Sequence, residues 1–541
     1  MSTATMQRFG SELDGGIDDR VHARRWLTLG VLCLSLLIIV MDNTILNVAI
    51  PSLIRDLDAS NSEIQWIIDA YTLVFAGLLL TTGSLSDRFG RKGALQVGIV
   101  LFGLGSASAA MSDSTLHLTV SRAFMGIGGA LIMPATLSIL TNVFRDPRER
   151  GRAIAIWAGF SGLAVAVGPV TGGLLLRHFD WSSVFWVNLP IGTLALVAGA
   201  FLVPTSRDPN QGRLDPLGAV LSIVGLGALL FGIIEGPTKG WTDGVVLAAF
   251  AVGAVAATSF VLWELHTEHP MLDMRFFKNP RFTAANSAIT MTFFAMFGSM
   301  FLMTQYWQFV HGYSPLGAGV RLVPYALTMM VMAPTSARLV ERIGTKRVVT
   351  TGLLIVCTGL LSLSFIKATT PYPLAITLFC VMALGMGMTM APATESVMGS
   401  LPREKAGVGS AVNDTTRQMG GALGVAIIGS VVTSVYAANV TDVAGRFGVR
   451  GEELAESRAS LGGALGVGAG LGEQAGGFVA AVKDGFVDAL SNGLRLSALV
   501  ILGAAFVAWR FLPARASDPL TVAAPEPASA PIGAVAPVAG D

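Results

Sequence analysis

A short charged segment that lies between two apolar stretches, and that returns in the second half of the chain, is the feature that most constrains the fold. The first copy reads G-S-L-S-D-R-F-G-R-K at Gly83–Lys92, and a rougher copy occupies Ala337–Lys346, at an offset of 254 residues. A second pair, Pro147–Arg150 and Pro402–Lys405, has an offset of 255 residues. Long repeats flanked by apolar runs indicate a duplicated bundle of membrane helices.

The composition indicates that most of the chain lies within a lipid bilayer. Of 541 residues, 52% are hydrophobic, only 13% are charged and 63 are glycine, which is too apolar for a soluble domain with one buried core. Helices are the expected spanning elements, because each backbone N–H and C=O in hydrocarbon needs a partner within the protein. The predicted fold class is therefore an all-α integral membrane protein.

Apolar runs of roughly 20 residues predict about 14 transmembrane helices. An offset near 254 residues accommodates eight spans better than six, at roughly 30 residues for each span with its loop. Two helices are therefore expected between two six-helix halves. The predicted spans are 26–50, 63–84, 92–111, 116–144, 150–176, 184–202, 214–235, 245–263, 282–310, 315–339, 346–366, 373–401, 406–436 and 494–511.

The spans predict a domain organisation of five parts. The two ends are polar or rich in Ala and Pro, and the segment before the last span is rich in Gly, which predicts a loop. The predicted parts are an N-terminal tail at 1–25, a first six-helix bundle at 26–204, two inserted helices at 205–270, a second six-helix bundle at 271–512 with an external loop near 437–490 that could contain a short surface helix at 478–490, and a disordered tail at 513–541.

Basic residues predict the orientation. Lys and Arg cluster in alternate short loops, which the positive-inside rule places in the cytoplasm, whereas the loops at 112–115 and 312–314 carry none. An even number of spans then puts both termini in the cytoplasm, and the first 25 residues lack the apolar core of a signal peptide. The basic loop residues include Arg88, Arg91, Lys92, Arg145, Arg148, Arg150, Arg152, Arg275, Lys278, Arg281, Arg342, Lys346 and Arg347.

Ionisable residues inside the spans are the candidate functional residues. Each costs roughly 3 kcal/mol or more in hydrocarbon, so each is expected to face a cavity or a partner. Asp42 is the sole charge in the first span, too deep to reach the interface from a span end. It is either a functional acid or a buried acid that Asn43, Thr44 or Asn47 satisfies within a structural network.

Asp69 and Arg122 lie about two turns below the outer ends of their spans and could share the depth of Asp42. A carboxylate beside an arginine can exchange a proton when the arginine moves or when a cationic ligand enters, which makes the group a candidate proton relay. The alternatives are that Asp69 is a hydrated acid near the mouth beside Glu63, and that Arg122 forms a pair that only joins helices.

The second half carries Glu395 and Asp414 inside its spans, nearer the cytoplasmic ends. Arg417 lies one turn from Asp414 and can pair with it on one helix face. A local ion pair and a role in binding cations both remain open, because these acids lie deeper than residues that reach the interface from a helix end.

The fifth span and the charged loop suggest moving parts. Gly168, Pro169, Gly172 and Gly173 allow close helix approach and a bend, although a generic packing helix would need the same residues. A positive-inside signal requires only basic residues, but the loop also contains Asp87 and two glycines. They suggest a conformational latch in which Asp87 pairs with a basic residue or a helix N-terminus in one state. Its residues are Gly83, Asp87, Arg88, Gly90, Arg91 and Lys92.

Three of these segments resemble motifs of the major facilitator superfamily. The loop at Gly83–Lys92 resembles the conserved loop of that superfamily, and Arg122 in S-R-A-F-M-G-I-G-G-A resembles its fourth-helix arginine motif. The fifth span, which ends G-P-V-T-G-G, resembles the antiporter signature, with Ala164 where that signature usually has Gly. The resemblance implies the major facilitator fold, with two six-helix bundles in pseudo-symmetry.

Other segments resemble the subfamily of 14-helix drug:proton antiporters. They are M-D-N-T-I-L-N-V-A-I-P at Met41–Pro51, W-S-S-V-F-W-V-N-L-P-I-G at Trp181–Gly192 and A-G-V-G-S-A-V-N-D-T-T-R-Q-M-G-G at Ala406–Gly421. W-I-I-D-A-Y at Trp66–Tyr71 resembles staphylococcal quaternary-ammonium exporters. The resemblance implies proton-driven export of hydrophobic, often cationic small molecules across a bacterial cytoplasmic membrane.

The residues and the resemblance together assign expected roles. Asp42 with Arg122 is the candidate for proton coupling, and the candidate substrate-binding residues are Asp69, Asp414, Glu395, Trp66 and Tyr306. Phe293, Phe294, Phe297, Met300 and Trp307 could line a cavity that repacks around varied apolar ligands, or could simply pack in the core or against lipid.

Two alternatives stay open: a dedicated exporter of one endogenous metabolite or lipid, and an uptake symporter. An enzyme is not expected, because the chain lacks a nucleotide loop, a metal cluster or a nucleophile constellation, and Cys33, Cys357 and Cys380 all lie in apolar spans. We expect no cofactor besides the proton gradient, no nucleic-acid partner at a net charge of +1, and a monomer in the bilayer.

Overall fold

The computed structural model describes residues 19–57, 59, 61–207, 215–268 and 270–514. Within these ranges, 14 segments are long and apolar enough to cross a membrane. The predicted number of spans and the all-α fold class are confirmed. The expected tails lie outside the described residues at 1–18 and 515–541.

The first bundle consists of six spans, and a short break divides the sixth. Its helices are α1 (Asp19–Leu57), α2 (Asn61–Phe89), α3 (Arg91–Ala110), α4 (Thr115–Val143), α5 (Pro147–Leu175), α6 (Ser183–Trp186) and α7 (Asn188–Leu202). Two inserted helices follow, α8 (Pro216–Lys239) and α9 (Gly244–His266).

The second bundle also has six spans, two of which are interrupted. Its first span is α10 (Pro280–Gln305), extended by a π-helical turn at Tyr306–Val310. The remaining helices are α11 (Pro315–Arg321), α12 (Val323–Ile343), α13 (Thr345–Leu363), α14 (Tyr372–Met398), α15 (Ala406–Phe447), α16 (Gly451–Ala459), α17 (Leu461–Ala469) and α18 (Ala475–Phe511), with 3₁₀ turns at Met274–Lys278, Arg403–Lys405 and Gly472–Gln474.

Several helices begin at a polar residue that is followed by proline. The side chain of the polar residue accepts a hydrogen bond from a backbone N–H of the first turn, and proline in that turn has no N–H to satisfy. This local chemistry explains why the start of each of these spans was predictable within a few residues. The pairs are Asp146-Pro147, Asp215-Pro216, Asn279-Pro280 and Ser314-Pro315.

Buried apolar side chains form two clusters that correspond to the two bundles. One cluster runs from Leu29 to Val203 and the other mainly from Phe260 to Leu512. Ala391, Met398 and Ala406 belong to the first cluster although they lie in the second half. The two bundles therefore share packing where α14 and α15 meet the first half.

The expectation of an external loop near 437–490 was wrong, because most of this segment is helical. α15 continues to Phe447, and α18 begins at Ala475. Phe478, Val482 and Phe486 are spaced four residues apart and all are buried, so they form one apolar helix face. The rings of Phe447 and Phe478 lie 5.6 Å apart, and those of Tyr436 and Phe486 lie 6.0 Å apart. Packing between α15 and α18 thus outweighs the high glycine content.

The inserted helix α8 contacts both bundles. The rings of Trp66 in α2 and Phe231 in α8 lie 6.1 Å apart. Trp241, which follows α8, donates a 3.1 Å hydrogen bond from Nε1 to the hydroxyl of Ser430 in α15. The inserted pair therefore lies against the groove between the two bundles.

Candidate functional site

Asp42 and Arg122 form a buried ion pair at the centre of the first bundle. Arg122 Nη1 contacts Asp42 Oδ2, and each side chain is 1% exposed. Asn188 at the start of α7 donates 3.1 Å hydrogen bonds to Asp42 Oδ1 and to the hydroxyl of Ser106 in α3. Arg122 Nε donates to the Ile67 carbonyl oxygen of α2 at 3.2 Å. Four helices thus converge on one carboxylate and one guanidinium, and α3 joins them through Asn188.

The contacts of Arg122 place the turn of α2 around Asp69 at the depth of Asp42. Its guanidinium lies over the Tyr71 ring, 4.5 Å from the centroid, and Tyr71 is fully buried. Asp69 lies between Ile67 and Tyr71 in sequence and is half-buried. The shared depth expected for these three charged residues is therefore present.

The local network suggested for Asp42 stays a prediction, although two of its candidate members hydrogen-bond to carbonyl oxygens of their own helix. The Thr44 hydroxyl donates to the carbonyl oxygens of Val40 and Met41 at 3.2 and 3.0 Å, and Asn43 donates to the Ile39 carbonyl oxygen at 3.1 Å. These bonds satisfy polar side chains within α1, which is the usual solution for Thr and Asn in an apolar helix. The Asn47 side chain lies outside the described residues.

The second bundle contains its own buried charge pair. Arg417 Nη1 lies 3.7 Å from Asp414 Oδ1, and both side chains are nearly inaccessible. Asn413 Nδ2 and the Ser410 hydroxyl donate to Asp414 at 3.2 and 3.4 Å, while Arg417 Nη2 donates to the hydroxyl of Thr394 at 3.0 Å. The local ion pair expected on α15 is therefore present, and whether Asp414 also binds cations stays a prediction.

Glu395 has a different partner, although it is the sequence neighbour of Thr394. Its carboxylate accepts three hydrogen bonds of 2.7–3.1 Å from Arg150 of α5. This bidentate pair joins the second bundle to the first, and such geometry is among the stronger ionic contacts in proteins. The expected substrate-binding role of Glu395 remains a prediction for a state in which this pair is open.

The two aromatic residues expected to bind substrate differ in exposure and in partners. Trp66 is 37% exposed, and its ring is tilted by 37° against that of Phe231 in the inserted helix. Tyr306 is fully buried, and its hydroxyl donates to the Lys367 carbonyl oxygen at 2.8 Å. The Tyr306 hydroxyl therefore supports a turn, and contact of either residue with substrate stays a prediction.

We call the end of the bundle that carries the charged loop at Gly83–Lys92 the basic end. There, Asp87 makes both contacts that were named as alternatives. Arg91 Nη2 lies 2.7 Å from its carboxylate, and the backbone N–H groups of Gly407 and Val408 donate to it at 2.9 and 3.1 Å. The carboxylate thus caps the N-terminus of α15, where the helix dipole favours an anion.

Two glycines make this contact possible. A Cβ on Gly83 would lie 2.7 Å from the Gly407 carbonyl oxygen, and a Cβ on Gly407 would lie 2.6 Å from the Gly83 carbonyl oxygen. Side chains at either position would therefore separate α2 from α15. Arg91 strengthens the same contact by donating from Nη2 to the Glu404 carbonyl oxygen at 3.0 Å.

Further ion pairs at the basic end follow the same pattern. Arg152 of α5 donates to Glu341 of α12 at 3.0 Å, beside the Arg150–Glu395 pair. With the Asp87 contacts, these pairs join the two bundles at the basic end. In this conformation the passage between the bundles is therefore closed at that end.

The fifth-span motif packs against both halves. A Cβ on Gly172 would lie 2.8 Å from Ile45 Cγ1 of α1, and a Cβ on Gly173 would lie 2.8 Å from Leu316 Cβ of α11. Gly168 and Pro169 belong to the same stretch, where Pro169 is inside the helix and Gly168 is buried. The small residues thus permit close approach of α5 to α1 on one side and to the second bundle on the other.

Sequence reasoning missed Asn188, Trp157 and Thr394 as partners of the buried charges. Asn188 could have been found as a polar residue within an apolar stretch, which needs a partner in hydrocarbon. Trp157 lies over the Arg417 guanidinium, 4.9 Å from the ring centroid. Thr394 belongs to a Pro-Ala-Thr triplet that also occurs at 134–136, whereas Trp157 is an ordinary residue of an apolar helix and carries no sequence signal.

A duplicated helical bundle with charge pairs buried between its helices defines a multi-pass membrane transporter. The sequence profile of the Major Facilitator Superfamily matches residues 32–425. The chain belongs to that superfamily, and its fold is the one that the sequence motifs implied.

Several curated relatives cover most of the chain. The multidrug efflux pump LfrA of Mycolicibacterium smegmatis is 35% identical over 489 residues, which are 90% of this chain and 96% of the relative. The tetracenomycin C resistance and export protein of Streptomyces glaucescens is 32% identical over 90% of this chain and 92% of its own. The methyl viologen resistance protein SmvA of Salmonella typhimurium is 33% identical over 82% and 89% of the two chains.

Solved structures share the fold at lower identity. The human organic anion transporter MFSD10 aligns with a TM-score of 0.57 at 15% identity, covering 89% of this chain and 99% of that chain. A bacterial homolog of the human lysosomal transporter Spinster, in an inward-facing conformation, aligns with a TM-score of 0.55 at 17% identity, covering 90% and 98%. These similarities concern the fold alone.

Proposed function

We propose that the protein is a proton-coupled antiporter that exports hydrophobic, often cationic small molecules by alternating access. The buried pair of Asp42 and Arg122 carries this proposal. A carboxylate that is 1% exposed and paired with an arginine can hold its charge only while the pair stays together. Separation of the pair would favour protonation of Asp42, and re-formation would favour release of the proton.

The relatives support the substrate class. Three proteins that share 32–35% identity with this chain are named for multidrug efflux, for export of tetracenomycin C and for resistance to methyl viologen. Asp69 and Asp414 are the acids that we propose attract cationic substrates, with Glu395, Trp66 and Tyr306 as further candidate contacts. We propose that the proton gradient supplies the energy without a cofactor.

The proposal includes an orientation in the membrane and a latch that closes the basic end. We place the basic end in the cytoplasm of a bacterial cell membrane, with both termini on that side, on the strength of the positive-inside rule. In the conformation described here, Asp87 caps α15 and Arg150 pairs with Glu395, so the closed end would face the cytoplasm. Each chain contains both bundles, and we propose that it works as a monomer.

The test is transport by purified protein in proteoliposomes under an imposed pH gradient. We expect a cationic dye such as ethidium to move against the direction of proton flow, and we expect a protonophore to abolish the movement. Addition of dye to detergent-solubilised protein should also release protons. Dye that moves together with protons would establish a symporter, and absence of gradient-driven movement of any member of a diverse panel would overturn the proposal.

A dedicated exporter of one endogenous metabolite is the second candidate. It is favoured by one observation, which is that the Streptomyces glaucescens relative is named for a single compound. Such a protein would share every motif and differ only in which compounds it binds. A panel of quaternary ammonium compounds and dyes distinguishes the two, because a dedicated exporter would transport none of them.

A further inference from the structure

Two buried N–H donors without an acceptor belong to side chains that contact each other across the two bundles. Arg417 Nε of α15 and Trp157 Nε1 of α5 are both buried and have no hydrogen-bond partner. Arg417 is 3% exposed and Trp157 is 0% exposed. Buried donors are almost always paired in proteins, so an unpaired set indicates a place where another group is expected to bind.

The contacts of Arg417 use only some of the N–H donors of its guanidinium. A guanidinium has five N–H donors, and Arg417 uses Nη2 for the hydroxyl of Thr394 at 3.0 Å. Its ionic partner Asp414 lies 3.7 Å from Nη1, and Asn413 and Ser410 also donate to that carboxylate. The guanidinium therefore retains the capacity to hold an oxygen acceptor.

Aromatic rings from both bundles contact the guanidinium. The Trp157 ring of α5 lies 4.9 Å from the guanidinium carbon, and the Phe293 ring of α10 lies 5.3 Å from it. Trp157 and Arg417 are each about 15 Å along their helices from Pro147 and Ala406, at 1.5 Å per residue, which places both side chains well inside the spans. Transporters of duplicated architecture bind substrate near the midplane, between their repeats.

We propose that Arg417 and Trp157 form a subsite for an oxygen acceptor, such as a carboxylate, phenolate or carbonyl group, on an aromatic substrate. The acceptor would take hydrogen bonds from Arg417 Nε and Trp157 Nε1, while the apolar body packs on the rings of Trp157 and Phe293. This proposal rests on the proposed export function and deepens it, since it adds an acceptor group to the features that define a substrate. Because the two donors belong to different bundles, separation of the bundles would dismantle the subsite and release the ligand.

The test is equilibrium binding to the full-length protein in lipid nanodiscs, without a proton gradient. The probes are 1-pyrenebutyrate and 1-butylpyrene, which share an aromatic body and differ in the carboxylate. Arg417→Gln and Trp157→Phe should each weaken binding of 1-pyrenebutyrate about tenfold, as expected for loss of hydrogen bonds to a charged group, and should leave binding of 1-butylpyrene nearly unchanged. Trp157→Phe keeps an aromatic side chain and the charge balance, so it tests the donor even if Arg417→Gln folds poorly.

Trp181→Phe is the matched control, because Trp181 is a buried tryptophan of the first bundle whose ring packs on Phe185. It should change neither affinity. Equal losses for both probes, no loss for either, or absence of 1-pyrenebutyrate binding to the wild type would overturn the subsite. If the wild type exports dye but the variants show no selective loss of 1-pyrenebutyrate binding, the subsite alone is rejected. If the variants show that selective loss but the wild type shows no gradient-driven efflux, the proposed export is rejected and the subsite is retained.

Discussion

Asp87 and Gly407 lie 320 residues apart in the chain, and the Asp87 carboxylate accepts a 2.9 Å hydrogen bond from the Gly407 N–H. The contact joins the last turn of α2 to the first turn of α15. It combines a charged acceptor with a helix N-terminus, and both features favour the bond. The closed basic end is thus held by a contact that must break before the bundles can separate there.

We expect Asp87→Asn to change the rate of turnover more than the affinity for substrate. The amide keeps the size of the side chain but removes the charge that attracts Arg91 and the N-terminus of α15. Loss of charged hydrogen bonds should weaken the closed state by about 1.5–3 kcal/mol. The measurement compares the rate of transport with equilibrium binding of the same dye.

Asp113→Asn is the control for Asp87→Asn, because Asp113 is an exposed acid at the opposite end. It should leave turnover unchanged. Wild-type turnover in Asp87→Asn would reduce this loop to a signal for membrane topology.

The Arg150–Glu395 pair provides a reversible test of closure at the basic end. Glu395→Gln should widen the distribution of distances between spin labels at Arg148 and Arg342, which are exposed residues of the two bundles near this end. The exchange Arg150→Glu with Glu395→Arg should restore the narrow distribution, because it restores opposite charges. A distribution that is the same in all three proteins would mean that this pair does not hold the end closed.

Asp42→Asn should abolish proton-driven transport and should also destabilise the protein. The amide cannot ionise, and Arg122 would remain buried without its anion, which in other proteins costs about 3–5 kcal/mol. The double substitution Asp42→Asn with Arg122→Gln should recover much of the thermal stability but none of the coupling. Proton-coupled efflux at the wild-type level by Asp42→Asn would disprove the assignment of the proton carrier.

Neutralising the candidate substrate acids should affect cationic ligands selectively. Asp69→Asn should weaken binding of a cation by roughly 1–3 kcal/mol, the range for charged contacts, and should affect a neutral ligand of similar size little. Asp414→Asn should have a smaller selective effect, because Arg417 already lies 3.7 Å from that carboxylate. Equal losses for cationic and neutral ligands would mean that these acids are structural or serve only the proton.

His311, in the connection between α10 and α11, gives the stability a dependence on pH. Burial, together with the nearby Lys483 ammonium, lowers the pKa of His311 below its ordinary value. The centroid of its imidazole ring lies 4.8 Å from that of the Tyr306 ring and 5.6 Å from that of the Tyr313 ring. The unfolded chain therefore binds a proton at higher pH than the folded chain, so stability falls as pH drops below about 6.5.

His311→Asn should reduce this loss of stability on acidification. The measurement is the change in Tm between pH 7.5 and pH 5.5 for the wild type and the variant. An identical change in both proteins would show that His311 binds its proton equally in the folded and unfolded states.

Much of the architecture could be predicted from the sequence, because the forces involved act within one segment. Hydrocarbon requires each span to satisfy its own backbone, so apolar length alone predicts the 14 helices, and capping residues before proline mark where several begin. The cost of a buried charge likewise singled out Asp42, Arg122 and Asp414. The segment near 437–490 was expected to be a loop with at most a short surface helix around 478–490, because its glycines gave no sign that α15 and α18 extend through it and pack against each other.

The pairing of these charges was decided by the tertiary structure. Asp42 has polar neighbours on its own helix, yet its partners are Arg122 and Asn188 from other helices, and Glu395 pairs with Arg150 across the bundle interface. Trp157 carries no sequence signal and acquires its place beside Arg417 only when α5 packs against the second bundle. A side chain's type and its depth in a span follow from local sequence, whereas its partner depends on how helices from distant parts of the chain are rotated and packed against one another.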